Sequence, residues 1–119
     1  MSSIPHTMRF EAGDVIRVPF PYVETNIRRY RPALVVTREP IGPDGVLIWA
    51  AMITNAERKR WPGDVPINDL MGTGLPITSV VRTAKLATLE VATADRIGRL
   101  PDAQLAEVAM RIREYLAAD

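Results

Sequence analysis

Up to about residue 100 the apolar positions of this chain alternate with polar ones or form short solid blocks; beyond it they recur every three to four residues. Period two and short blocks bounded by proline or glycine predict strands, and the three-to-four stripe predicts an amphipathic helix. In VIRVPF, Val15, Ile16, Val18 and Phe20 surround Arg17, a strand pattern, and Pro19 puts that strand near a sheet edge. Pro21 to Tyr30 is polar, rich in turn formers and without a helical period, so it reads as a loop longer than the usual four to six residues or so. PALVVT, bounded by Pro32 and the EPIGPDG turn, predicts a strand buried on both faces. VLIWAAMIT predicts the next strand, with Trp49 in the core, ending at Thr54 and Asn55.

From Ala56 to Gly74 prolines and glycines break the chain, leaving room for one short strand, DVPI. ITSVVR and AKLATLEV read as a pair of strands and DRIGRL as a last one. Leu105, Val108, Ile112 and Leu116 line one side of a helix over 101–117, with Pro101 in its first turn and Asp102 near the positive end of its dipole. Several short strands followed by one helix predict an α+β, mostly β fold, a small and strongly bent antiparallel sheet or barrel with the helix against it.

Composition narrows this picture without redirecting it. With 119 residues, 47% of them hydrophobic and 24% charged, the chain reads as one globular domain, residues 1–9 forming a flexible tail. The longest apolar runs are far shorter than the roughly 20 residues of a membrane helix. MSSIPHTMRF lacks the build of a secretion signal, so a cytoplasmic protein without a membrane partner is expected. The absence of cysteine excludes disulfides, thiolate nucleophiles and cysteine zinc sites. No phosphate loop, dinucleotide fingerprint or metal-spaced His/Asp/Glu cluster occurs, so neither metal nor cofactor is expected. The one histidine, His6, lies in the tail and suits neither a histidine pair nor a Ser-His-Asp triad.

Net charge is only +1, so any argument for a polyanionic partner rests on arrangement. Arg28, Arg29 and Arg31 stand against PALVVT with no acid between Ile27 and Arg38. A solvated loop accounts for them equally well when they are taken alone. Pro32, however, biases Arg31 toward an extended backbone at the mouth of a rigid strand, and a fixed guanidinium fork fits phosphate oxygens. A second basic cluster, ERKRW, carries Arg58 and Lys59 just past Thr54 and Asn55. Were the two strands neighbours, both clusters would share one end of the sheet. Tyr22, Tyr30 and Trp61 interleave with them, the mixture that single-stranded nucleic acid uses for stacking and backbone attraction. Trp61 reads equally as a lid over the core.

Taken in order, GDVIRVPFPY, RRYRPALVVT, AAMITNA, SVVRTAKLATLE and DRIGRLPDAQLAEVAMRIREYL resemble the PemK/MazF family of toxin endoribonucleases over nearly the whole length. The resemblance implies an SH3-like barrel with a C-terminal helix, a homodimer, and an antitoxin protein as partner. It also implies cleavage of single-stranded RNA, commonly mRNA, by metal-independent attack of a ribose 2′-hydroxyl on the adjacent phosphate. By motif, Arg31 of RPALVV and Thr54 at the close of the next strand take the catalytic positions. A preorganised cation and a hydroxyl donor stabilise the charge gathered at phosphorus in the transition state. A guanidinium stays protonated in proteins, so this chemistry makes Arg31 a stabiliser more readily than a base. Arg28, Arg29, Tyr30, Tyr22, Asn55, Arg58, Lys59 and Arg82 are the RNA-contact candidates, with Tyr30 standing where relatives often carry a small or basic residue.

Structural alternatives stand beside these roles. Arg31 suits a rim salt bridge to Glu24 or Asp14, Thr54 a hydrogen bond to its own turn, and Arg82 a strand position facing solvent. Two rival functions remain open. One is a non-catalytic inhibitor of a protein such as DNA gyrase, which an exposed Trp61 beside an apolar patch would favour; the other is an RNA-binding barrel without cleavage.

Overall fold

The computed structural model describes residues 10–19 and 30–117; the predicted tail and the segment Phe20 to Arg29 lie outside the described residues. Among the described residues six strands form, β1 (Asp14–Pro19), β2 (Tyr30–Val35), β3 (Leu47–Asn55), β4 (Asp64–Ile67), β5 (Ser79–Glu90) and β6 (Asp95–Arg99). A single-turn helix α1 (Leu70–Thr73) precedes β5, and a longer helix α2 (Asp102–Tyr115) follows β6. All strands join one sheet in the order β4-β5-β3-β2-β1-β6, every pairing antiparallel, curled into a half-barrel.

The solid apolar block of β2 has a direct cause. Leu34 pairs with Val15 and Ala51 on one face, while Ala33 pairs with Ile16 and Met52 on the other. The first face gathers Val15, Leu34, Ala51, Ile53, Val65 and Val81 under α2, whose Leu105, Val108 and Ile112 close it. The second face gathers Phe10, Ile16, Val18, Ala33, Val35 and Met52. A strand with a core on each side needs apolar residues at every position rather than every other one. Burying a side chain the size of Leu34 or Ile16 contributes about 1.5–3 kcal/mol, so these two layers supply the main drive for the curl.

Three expectations need correcting. ITSVVR and AKLATLEV form a single strand: Met52 faces Arg82 and Ala51 faces Leu86, so Thr83–Lys85 are extra residues that bend β5 instead of ending it. That bend lets one strand serve β4 with its first half and the far end of β3 with its second. Pro19 does stand near a sheet edge: β1 lies between β2 and the edge strand β6, whose pairing reaches only as far as Arg17, so Pro19 extends past it. Trp49, expected in the core, is 49% exposed: alternation along β3 turns it to the side opposite Ile48 and Ala50, which are fully buried. Leu116, 57% exposed, falls after the end of α2 and leaves the apolar stripe one residue short.

The turn α1 was not legible in advance, and it shapes the region of interest. Asp69 caps it by accepting the Gly72 N–H at 2.9 Å, and Gly74 ends it with a positive φ of 71°. It packs directly on β6: a Cβ on Gly98 would land on the Thr73 carbonyl, which is backbone and cannot step aside. Gly98→Ala is therefore expected to lower stability by about 2 kcal/mol through overpacking, read as a fall in the urea midpoint.

Candidate functional site

The ladder between β2 and β3 stops at Ala33 opposite Met52, although the strands run on to Tyr30 and Asn55. Continued by two residues, the same register sets Arg31 opposite Thr54. Where the ladder stops a cleft of about 720 Å³ opens, lined by Arg31 and Thr54 together. Arg17 reaches it from β1 and Arg58 from the turn after β3, while Leu75, Pro76 and Ile77, between α1 and β5, give it an apolar wall. Among its described lining residues are three guanidiniums and no carboxylate. A concave site of one charge sign concentrates the field, so the described lining is positive although the chain as a whole is nearly neutral.

Pro32 and the β1 pairing position Arg31. Its backbone lies opposite Val18 and it is only half-buried, the rigid apolar block beginning two residues later. Thr54 is held by β5 through its pairing with Val80. Asn55, not Thr54, closes the following turn: its Oδ1 accepts the Glu57 N–H at 2.9 Å and its carbonyl accepts the Arg58 N–H at 3.0 Å. Tyr30 sits at the rim, 52% exposed, with the Arg17 guanidinium 5.3 Å from its ring centroid.

Of the residues singled out in the sequence, the fold brings Tyr30, Arg31, Thr54, Asn55 and Arg58 into one cleft. Tyr22, Arg28 and Arg29 lie outside the described residues, and so does Glu24, one suggested partner of Arg31. Asp14, the other, is buried and accepts Arg96 Nη2 at 3.0 Å and Arg99 Nη1 at 3.3 Å. Lys59 does not line the cleft. Arg82 does not either, and it does not face solvent: it is 8% exposed, its Nε and Nη2 donate to the Asp64 carboxylate at 3.2 and 3.0 Å, and Trp61 lies over it. The cause is register, since Asp64 of β4 is its direct cross-strand partner.

Arg17 is the charged residue of the described lining that sequence reasoning missed. Its alternation within VIRVPF marks a solvent-facing position, and only the β1–β2 register, which places it opposite Pro32, turns that position toward the cleft.

A family model described as PemK-like, MazF-like toxin of type II toxin-antitoxin system matches residues 11–116. The chain belongs to this toxin family. The expected fold is also that of solved MazF toxins. The MazE–MazF complex (Form-II) from Deinococcus radiodurans superposes with a TM-score of 0.70 at 23% identity, covering 99% of this chain and 100% of that one. Mycobacterium tuberculosis toxin MazF-mt6 gives 0.67 at 25% identity over 89% and 98%. A mycobacterial endoribonuclease in complex with its cognate antitoxin gives 0.65 at 17% identity over 92% and 96%. No curated protein matches this MazF-like toxin at a significant level. Among the described residues, no helix of the toxin is long and apolar enough to cross a membrane.

Proposed function

We propose that this MazF-like toxin is an endoribonuclease that cuts single-stranded RNA, mRNA in the cytoplasm, at the cleft between β2 and β3. The observation that carries the reading is the cleft's make-up: three arginines, a threonine hydroxyl and no described carboxylate, at a site wide enough for a sugar-phosphate segment. In the reaction a ribose 2′-oxygen bonds to the adjacent phosphorus and the bond from phosphorus to the 5′-oxygen breaks. The 2′ proton leaves to solvent and the departing 5′-oxygen gains one. The products are a 2′,3′-cyclic phosphate and a free 5′-hydroxyl. Arg31 stabilises the charge on the non-bridging oxygens, and Thr54 supplies a hydroxyl donor beside it.

Arg58 and Arg17 extend the positive track on either side of that pair, and the Tyr30 ring, backed by Arg17, offers a stacking surface for a base next to the scissile phosphate. Tyr30→Ala is expected to raise KM about tenfold while leaving kcat nearly unchanged, because one stacked base is worth roughly 1–3 kcal/mol. Steady-state cleavage of a fluorescent oligoribonucleotide checks this. An acidic antitoxin segment laid along the same positive hollow would block it, and a second copy of the toxin would complete a homodimer. Solved toxins of this fold are described in complex with MazE or with a cognate antitoxin, which supports the first of these partners.

The protein-inhibitor rival asked for an exposed Trp61 beside an apolar patch. Trp61 is 41% exposed, but one face is taken by Arg82 and its chain neighbours Arg58, Lys59 and Arg60 are basic. The deciding experiment maps RNA ends after brief induction in cells and after incubation of purified toxin with mixed single-stranded RNA. New 5′-hydroxyl ends that vanish with Arg31→Ala support cleavage. RNA retention without such ends would leave a binding barrel, and intact, unbound RNA would overturn the reading.

A further inference from the structure

The turn joining β3 to β4 carries Arg58, Lys59 and Arg60, yet only Arg58 lines the cleft. Exposed basic side chains on a turn of this length sample many positions unless something fixes the backbone beneath them. Both ends of the turn are fixed. Asn55 closes the first end through the Glu57 and Arg58 N–H groups. At the second end Asp64 accepts the Trp61 N–H at 3.0 Å, and Arg82 Nη2 donates to the Lys59 carbonyl at 2.7 Å. The same Arg82 binds both oxygens of Asp64, and its Cζ lies 4.3 Å from the Trp61 ring centroid. One guanidinium thus grips the turn's backbone, its closing carboxylate and its aromatic ring at once.

Burying such an ion pair gains little stability over apolar residues of the same volume, because desolvation offsets the attraction. Its distinguishing effect is geometric: a planar fork with several partners specifies one placement of the turn. The bulge in β5 begins right after Arg82.

We infer that Arg82, Asp64 and Trp61 are positioning residues that hold Arg58 at the cleft, so that RNA grip depends on a buried pair that touches no RNA. This rests on the RNA reading above. It has an outcome that simple electrostatics reverses. Asp64→Asn removes a negative charge beside a basic turn, so a screening role predicts tighter RNA binding, whereas loss of the anchor predicts weaker binding.

The test measures binding of a short single-stranded oligoribonucleotide, over a range of salt concentrations, by the full chain. Asp64→Asn and Arg82→Lys are each expected to weaken binding three- to tenfold and to flatten the log–log salt dependence by about 0.7, one phosphate contact on a single strand. In an Arg58→Ala background the same substitutions are expected to cost almost nothing. A merely destabilising change would cost the same in both backgrounds. Tighter or unchanged binding by Asp64→Asn, or equal losses in both backgrounds, would overturn the inference. Hydrogen exchange at the Arg58–Trp61 amides is read in parallel and is expected to quicken in both variants. Should the unaltered toxin bind no RNA, the nuclease reading fails and this role with it, while the exchange data still show whether the anchor holds the turn; unchanged exchange would reject the anchor by itself.

Discussion

Arg31→Ala is expected to reduce RNA cleavage by roughly 10²–10³-fold, with most of the loss in kcat. The size follows from the cost of removing one preorganised donor at a developing oxyanion, about 2.7–4 kcal/mol. The partition follows from geometry. Arg17 and Arg58 line the same cleft and continue to attract the backbone, so ground-state binding is largely retained. Arg31→Lys should recover only part of the loss, since an ammonium supplies charge without the planar fork that meets two phosphate oxygens. Thr54→Val, nearly isosteric, is expected to lose about tenfold by the same logic with a neutral donor. Single-turnover cleavage separates these from product release. A defect confined to KM would assign Arg31 to general attraction instead of the reacting phosphate.

Arg82→Met is expected to lower folding stability by about 3–5 kcal/mol, a large share of the roughly 5–15 kcal/mol available to a domain of this size. The Asp64 side chain is 2% exposed and would keep a buried charge after losing both of its guanidinium bonds. The Lys59 carbonyl would lose its donor as well. With a urea slope of a few kcal/mol per molar at most, the midpoint should drop by roughly 2 M. Arg99→Met is the matched control. Arg99 touches Glu11, Asp14 and Asp102, but its side chain is 44% exposed, and Asp14 retains Arg96. Its loss should cost no more than about 1 kcal/mol. Similar losses for the two would show that burial of the Arg82–Asp64 pair contributes nothing.

Much of the fold was legible because the two cores print their periods directly on the chain. PALVVT is apolar throughout because Ala33 and Leu34 face opposite cores, and Leu105, Val108 and Ile112 recur as helix spacing demands. Trp49 shows the limit: hydrophobicity marks what a strand can bury, while only the packing of other elements decides whether anything covers it, and Ile48 and Ala50 on either side are covered where Trp49 is not. The joining of ITSVVR and AKLATLEV shows another. Thr83, Ala84 and Lys85 look the same in a bulge as in a turn.

The same division runs through the site. Local sequence fixed Arg31, because Pro32 constrains the residue before it and the apolar block that follows must be a strand. Thr54 and Asn55 were placed by the end of the next block. The fates of Arg17 and Arg82 were not local. Each is an arginine inside a strand, and nothing beside it in the sequence tells one from the other. Register decided: Arg17 falls opposite Pro32 and opens onto the cleft, while Arg82 falls opposite Asp64 and is sealed beneath Trp61. Period and chain stiffness are properties of neighbouring residues and can be read along the chain, but which charge meets which is set by pairing between distant strands, and that exists only once the sheet has formed.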